Sequence, residues 1–213
     1  MKKYDLHKND FAELHFELKT LEPYFQRNKE KATKPHRHSF FQILWFKERG
    51  NHYIDYNVVE HDVNTLFLIN KNQVHYFCPD SSNSGYLLHF NDSFISNSSL
   101  DLLNRFELSI FNEIDSPNFS LDKKDAKIID DLTYNLLVEL EEKKLNHLQI
   151  ITHELISLLY YIERIKQNSG SFNRSTKSGF SAVVTFKQAV FENVDKNYGV
   201  QDYSELVGSH LKS

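Results

Sequence analysis

The sequence has 213 residues, with 29 acidic against 25 basic side chains and a net charge of −4, a balance that excludes a strongly cationic nucleic-acid-coating protein. Hydrophobic residues make up 40%, with 17 Phe and 11 Tyr against only 6 Gly and 4 Pro, which supports a packed core and excludes a disordered or low-complexity chain. The length suits one large domain or two small ones.

The lone Cys78 has no internal disulfide partner and fits a reducing cytoplasm. Met1-Lys2-Lys3-Tyr4-Asp5 does not lead into an apolar stretch, so no secretory signal is expected. No apolar run approaches the ~18 residues of a membrane span, so no membrane partner is expected.

From residue 12 to 90 the pattern is that of short strands. Leu14 to Leu18 alternates apolar and polar, and Phe40 to Phe46 is a β-rich run. Arg49-Gly50-Asn51 reads as a turn, with His52 to Tyr56 returning at hairpin distance. Thr65 to Ile69 is a further strand, and Asn70-Lys71-Asn72 turns it back into Gln73 to Phe77. Pro79 to Gly85 is a loop and Tyr86 to Phe90 closes the series. Such spacing predicts a sandwich or barrel.

Beyond Asn91 the periodicity becomes helical. Asp122 is placed to cap a helix carrying Ile128, Ile129, Leu132, Leu136, Leu137 and Leu140. Lys143 to Asn146 joins it to a second helix carrying Ile150, Ile151, Leu155, Ile156, Leu159 and Ile162. This hairpin has surplus apolar surface, which points to a homodimer with Leu132, Leu136, Leu140, Leu155 and Leu159 at the interface. Residues 167–181 form a polar Ser/Gly/Asn linker. Val184, Phe186, Val190, Phe191 and Val194 mark a third helix, broken at Gly199-Val200, and Asp202 to Val207 a short fourth with Asp202 as N-cap.

The chemistry concentrates in "KPHRHSFFQILWF", Lys34 to Phe46. In a strand, alternate residues share a side. His36, His38, Phe40, Gln42 and Leu44 then line one face, with Phe41, Ile43 and Trp45 on the other. His75 and Phe77 share a face of a later strand, where His75 meets the first pair if the strands are neighbours. Three readings remain open: polar groups lining a pocket for a small molecule, structural histidines in a filled interior, or a divalent metal site at His36, His38 and His75, which as three imidazoles suit Zn²⁺ or Fe²⁺.

His36-x-His38, then three residues and Gln42, followed by Asn70-x-Asn72 and His75, resembles the two cupin motifs. The longer string "KPHRHSFFQILWF…GNHYIDY…NTLFLINKNQVHYF" resembles the N-terminal sensing domain of AraC-family transcription regulators. "FKQAVFENVDKNYGVQDYSELVG" is similar to the first helices of that family's DNA-binding domain. The resemblance covers about residues 14 to 208 and implies an α+β chain. Its parts are a cupin-like β-barrel (a double-stranded β-helix, residues 1–118), a helical dimerisation hairpin (119–166), the linker (167–181) and a partial helix-turn-helix (182–213). It implies a non-enzymatic regulator whose barrel takes a small-molecule effector through His36, His38, Gln42, Leu44, His75 and Phe77.

Two departures stand out. Gln42 takes the place of the carboxylate of enzymatic cupins, and Asn70 and Asn72 replace the second motif's Pro and Gly. An amide oxygen is a weaker ligand than a carboxylate for a divalent ion.

Trp45 is expected in the core between barrel and helices. His52 and His89 are expected as ordinary strand residues, His147 and His153 at the surface of the hairpin, and Lys29 to Arg37 as a solvated basic loop. From Ala182 to Ser213 three lysines face four acids, a poor surface for DNA phosphates. The chain is therefore expected to be a shortened relative whose full-length parent binds DNA. Two further readings stand beside the regulator: a metal-dependent cupin isomerase or dioxygenase, and a ligand-free oligomerisation module. A lining of aromatic, imidazole and amide groups suits a sugar, a short organic acid or a flat aromatic effector.

Overall fold

Six consecutive residues, Phe41–Phe46, are buried on both faces of one strand, so layers must cover them from both sides. The computed structural model describes residues 1–5, 15–96, 102, 105–106, 109–111, 116–169, 185–186, 189–190 and 193–210. They fall into two units, Met1–Phe172 and Asn173–Ser213.

The first unit begins with β1 (Lys2–Tyr4), β2 (Phe16–Thr20) and α1 (Leu21–Ala32). Then come β3 (His36–His38), β4 (Phe41–Phe46), β5 (Gly50–Ile54), β6 (Asn57–His61), β7 (Thr65–Ile69), β8 (His75–Phe77) and β9 (Gly85–Phe90). A short α2 (Asp92–Ser96), β10 (Asn118–Ser120) and two long helices, α3 (Lys123–Glu142) and α4 (His147–Asn168), complete it. The architecture is α+β. Two five-stranded sheets have the orders β1-β3-β8-β5-β6 and β10-β7-β4-β9-β2. Among the described residues no ladder joins one sheet to the other, so the expected closed barrel is seen as two separate sheets.

Side-chain alternation along β4 divides the core. Leu44 and Phe46 point between the sheets, where they pack with Phe67, Ile69 and Leu87 of their own sheet, Ile54 and Phe77 of the other, and Leu21 and Phe25 of α1. Phe41, Ile43 and Trp45 point the opposite way, against Ile129, Leu136, Leu155 and Leu159 of the long helices. Trp45 thus lies between sheet and helices, as its place in the pattern predicts.

Several local expectations are corrected. β4 and β5 do not form a hairpin: β4 pairs with β7 and β9, while β5 pairs with β6 and β8. β4 is the central strand of its sheet, its edges taken by β7 and β9, and the chain crosses to the other sheet after it. Gly50 and Asn51 accordingly begin β5 instead of forming a turn. β8 likewise pairs with β3 and β5, not with β7.

Within the stretch expected to be all strand, Leu21 to Ala32 is helical, because Leu21, Phe25 and Ala32 bury at helical spacing and Pro23 sits in the first turn, where its missing N–H costs nothing. The basic run from Lys29 is therefore the end of α1 and the start of β3, not a loop. Strands β1 and β6 carry no clear alternation and escape the sequence pattern.

Asp122 caps α3 as expected, its carboxylate accepting from the Asp125 N–H at 2.7 Å. The four residues Lys143 to Asn146 turn into α4, with Lys143 and Asn146 in the left-handed region. No described helix is long and apolar enough to cross a membrane.

In the second unit, a 3₁₀ turn (Val194–Lys196) precedes α5 (Val200–His210). The helix starts earlier than expected, and Asp202 lies inside its first turn, accepting from the Gly199 N–H at 2.8 Å. Most of the expected linker, with Val184 and Phe191 of the expected third helix, lies outside the described residues.

Candidate functional site

Sequence alternation brings histidines to the inner side of both sheets. His36 pairs directly with His75 across β3 and β8, and His75 pairs with Ile54 on β5, two residues from His52. His89 stands opposite Gln42 across β9 and β4 in the facing sheet. The ring centroids of His36, His38 and His75 lie 4.6 to 4.9 Å from one another. One ring nitrogen from each falls within 4.8 Å of the other two. The three histidines singled out by the motif therefore converge.

The chain braces this cluster from behind. His36 Nδ1 lies 2.7 Å from the Lys34 carbonyl oxygen, to which it donates. His52 Nε2 lies 3.2 Å from His75 Nδ1. The loop entering β8 is tied down twice: the Asn72 N–H donates to the His38 carbonyl at 2.7 Å, and Asp55 accepts from Gln73 Nε2 at 3.0 Å. Asn72 supplies the left-handed turn that its side chain tolerates.

Toward the interior the polar atoms have no hydrogen-bond partner among the described residues. These are both ring nitrogens of His38, Nε2 of His75, Nε2 of His89 and Oε1 of Gln42. A buried polar atom left without a partner costs about 1–3 kcal/mol. Several at one place call for a partner beyond the described residues, such as an ordered water, a ligand or an ion.

The imidazoles are held neutral. Burial pushes His38 down to about 2 and His52 down to about 3, and holds His75 well below the ordinary value. His89 is also lowered by burial, which outweighs the nearby Glu17 carboxylate. Neutral rings keep a lone pair available, which is the form that accepts hydrogen bonds or binds metal.

A pocket of about 380 Å³ opens beside His36, His38 and His89. Tyr4 on β1, Glu17 and Lys19 on β2, and Tyr24 and Asn28 on α1 form its other walls. Lys19 pairs with Glu17. The Glu17 carboxyl is lowered to about 2 by His89, whose Nδ1 lies 3.6 Å away, and by Lys19. The Tyr24 hydroxyl is pushed up to about 12 by burial and then by Glu17, so it stays a neutral donor.

Residues 19–125 match the AraC-like ligand binding domain. The chain belongs to that family. No curated protein matches the sequence. The crystal structure of the AraC-like transcriptional activator CuxR is similar to this chain at 9% identity and a TM-score of 0.34, over 79% of this chain and 56% of that one.

Within this AraC-like domain the expected effector residues separate into two sets. His36 and His38 reach the pocket wall. Gln42 and His75 are fully covered, and Leu44 and Phe77 belong to the packed cluster between the sheets. His52 and His89, expected as ordinary strand residues, stand in the same histidine layer. Their inward alternation with Ile54 and Leu87 is the signal that locates them, and it becomes readable only once the strand neighbours are known.

Of the five leucines expected at a dimer face, Leu136, Leu155 and Leu159 have no exposed surface and lie in the chain's own core. Leu132 and Leu140 are half-buried against the same core. The exposed apolar residues near the α3–α4 turn are instead Leu145, Leu148 and Ile150.

Proposed function

We propose that this chain is the effector-sensing and dimerising part of an AraC-type transcription regulator, with sequence-specific DNA binding carried by a helix-turn-helix in its full-length parent. In this reading the two sheets are the halves of a cupin-like barrel, and the effector enters between β2, α1 and β3. The supporting observation is the pocket of about 380 Å³ lined in part by His38, both of whose ring nitrogens have no partner among the described residues. A volume of that order suits a small metabolite. The carboxylate, ammonium, phenol and imidazole walls favour a polar one, a sugar or a short organic acid.

The effector acts by preferring one arrangement of the dimer over another, since a ligand shifts an equilibrium only through differential affinity. A homodimer through the α3–α4 end is part of the proposal, with Leu145, Leu148 and Ile150 as its apolar contacts and the buried leucines holding the hairpin itself. The unpaired Cys78 agrees with a cytoplasmic setting.

A thermal-shift screen of sugars and short organic acids tests the effector reading. A hit should raise Tm in the native protein and lose its effect in His38→Ala and Lys19→Ala. Absence of any stabilising compound of either class, or a hit indifferent to both substitutions, would overturn it.

A further inference from the structure

Four observations at one place go beyond a pocket for an organic effector. The first is convergence: His36, His38 and His75 each offer a ring nitrogen within 4.8 Å of the other two, and all three are buried. The second is orientation. A metal-binding histidine ordinarily gives its other nitrogen to a carbonyl or a neighbouring side chain, which fixes the tautomer and aims the free lone pair. His36 does this through the Lys34 carbonyl and His75 through His52. The third is that Nε2 of His75 and both nitrogens of His38 have no hydrogen-bond partner among the described residues. The fourth is access, because His36 and His38 also line the pocket, which supplies an entry path and room for a further ligand.

From this geometry we infer that His36, His38 and His75 bind a single divalent transition-metal ion, with His52 as the residue that positions His75. Three neutral imidazoles and no carboxylate make a nitrogen-only set of the kind favoured by Zn²⁺, Ni²⁺ or Fe²⁺ over Mg²⁺ or Ca²⁺. A tetrahedral Zn²⁺ site with Zn–N of about 2.0–2.1 Å needs nitrogens about 3.4 Å apart, so the rings close inward on loading. His38, free of hydrogen bonds on both nitrogens, is the ring best able to make that adjustment. The fourth position faces the pocket.

This assignment deepens the effector reading but is tested without any effector, so either can fail alone. The full chain is stripped with EDTA and titrated with Zn²⁺ by calorimetry and with Co²⁺ by visible absorption. The expected result is one equivalent bound, with the intensified d–d bands of tetrahedral Co²⁺ and a rise in Tm on Zn²⁺ addition.

His38→Gln should abolish all three signals. Because the His38 ring has no hydrogen-bond partner among the described residues, this variant is expected to keep its fold, which circular dichroism checks. His52→Gln should weaken Zn²⁺ binding about 10–100-fold while keeping the stoichiometry, as loss of an orienting partner does. His153→Gln, on the exposed side of α4, should change nothing. Saturable binding undiminished in His38→Gln would place the metal elsewhere, and no stoichiometric binding to the native chain would remove the site; either outcome overturns the inference.

Discussion

His52 and His75 sit on neighbouring strands with 3.2 Å between Nε2 of one and Nδ1 of the other, so one of the two nitrogens must carry the proton and the other must accept it. Both rings are fully buried. His52→Leu removes the partner and leaves His75 Nδ1 unsatisfied, at an expected cost of about 1–3 kcal/mol in urea denaturation. Replacing both rings by leucine should cost less than the two single changes together, because no orphaned polar atom remains. An additive double mutant would show that the contact carries no energy.

Acid should unfold the metal-free protein early. The His38 and His52 rings titrate at about 2 and about 3 when folded against an ordinary value of 6.5. Below 6.5 the unfolded chain therefore binds protons that the folded chain refuses. Stability is full above that pH and falls as pH drops toward 3, by about 1.4 kcal/mol per pH unit for each such histidine. Glu17, lowered to about 2, adds a further loss of the same sign below its ordinary value of 4.5. Urea midpoints at several pH values measure the slope, and a flat profile from 6.5 to 4 would contradict it.

Gly85 opens β9 with φ +138°, and a Cβ there would lie 1.8 Å from the Trp45 carbonyl oxygen. Backbone cannot yield as a flexible side chain does. Gly85→Ala is expected to cost about 3 kcal/mol or more, visible as a large fall in Tm. A fall of only a degree or two would mean that β4 and β9 can separate locally.

The helical hairpin should respond differently at its two kinds of leucine. Leu136→Ala, in a site with no exposure, should lower stability by about 2–5 kcal/mol without altering the oligomeric state of the folded protein. Leu148→Asp, on an exposed position, should leave monomer stability almost unchanged and weaken the proposed dimer in light scattering; a native chain that is monomeric by the same measurement would remove that part of the proposal. A dimer indifferent to Leu148→Asp would move the interface away from the α3–α4 turn.

The parts of the fold legible in the sequence are those governed by local periodicity. Alternation through Lys34 to Phe46 placed His36 and His38 on a common side, and the Asp122 cap and the four-residue turn after α3 are written in a few adjacent residues. What stayed hidden depends on which strands become neighbours. His52 looks like any strand residue until β5 is known to lie beside β8, and His89 until β9 is known to flank β4. The leucines of α3 and α4 looked surplus because helical spacing does not reveal the apolar outer face of the sheet, Phe41, Ile43 and Trp45, that they cover. Helix α1 was obscured because Pro23 breaks a helical pattern unless it stands in the first turn.

The Asp55 carboxylate grips Gln73 and the Val74 N–H from the tip of the β5–β6 hairpin. That grip makes an exposed corner mechanically continuous with the backbone that aims His75. A fluorophore on the neighbouring Tyr56, which is open to solvent, would test whether binding of the inferred metal at His75 reaches that corner.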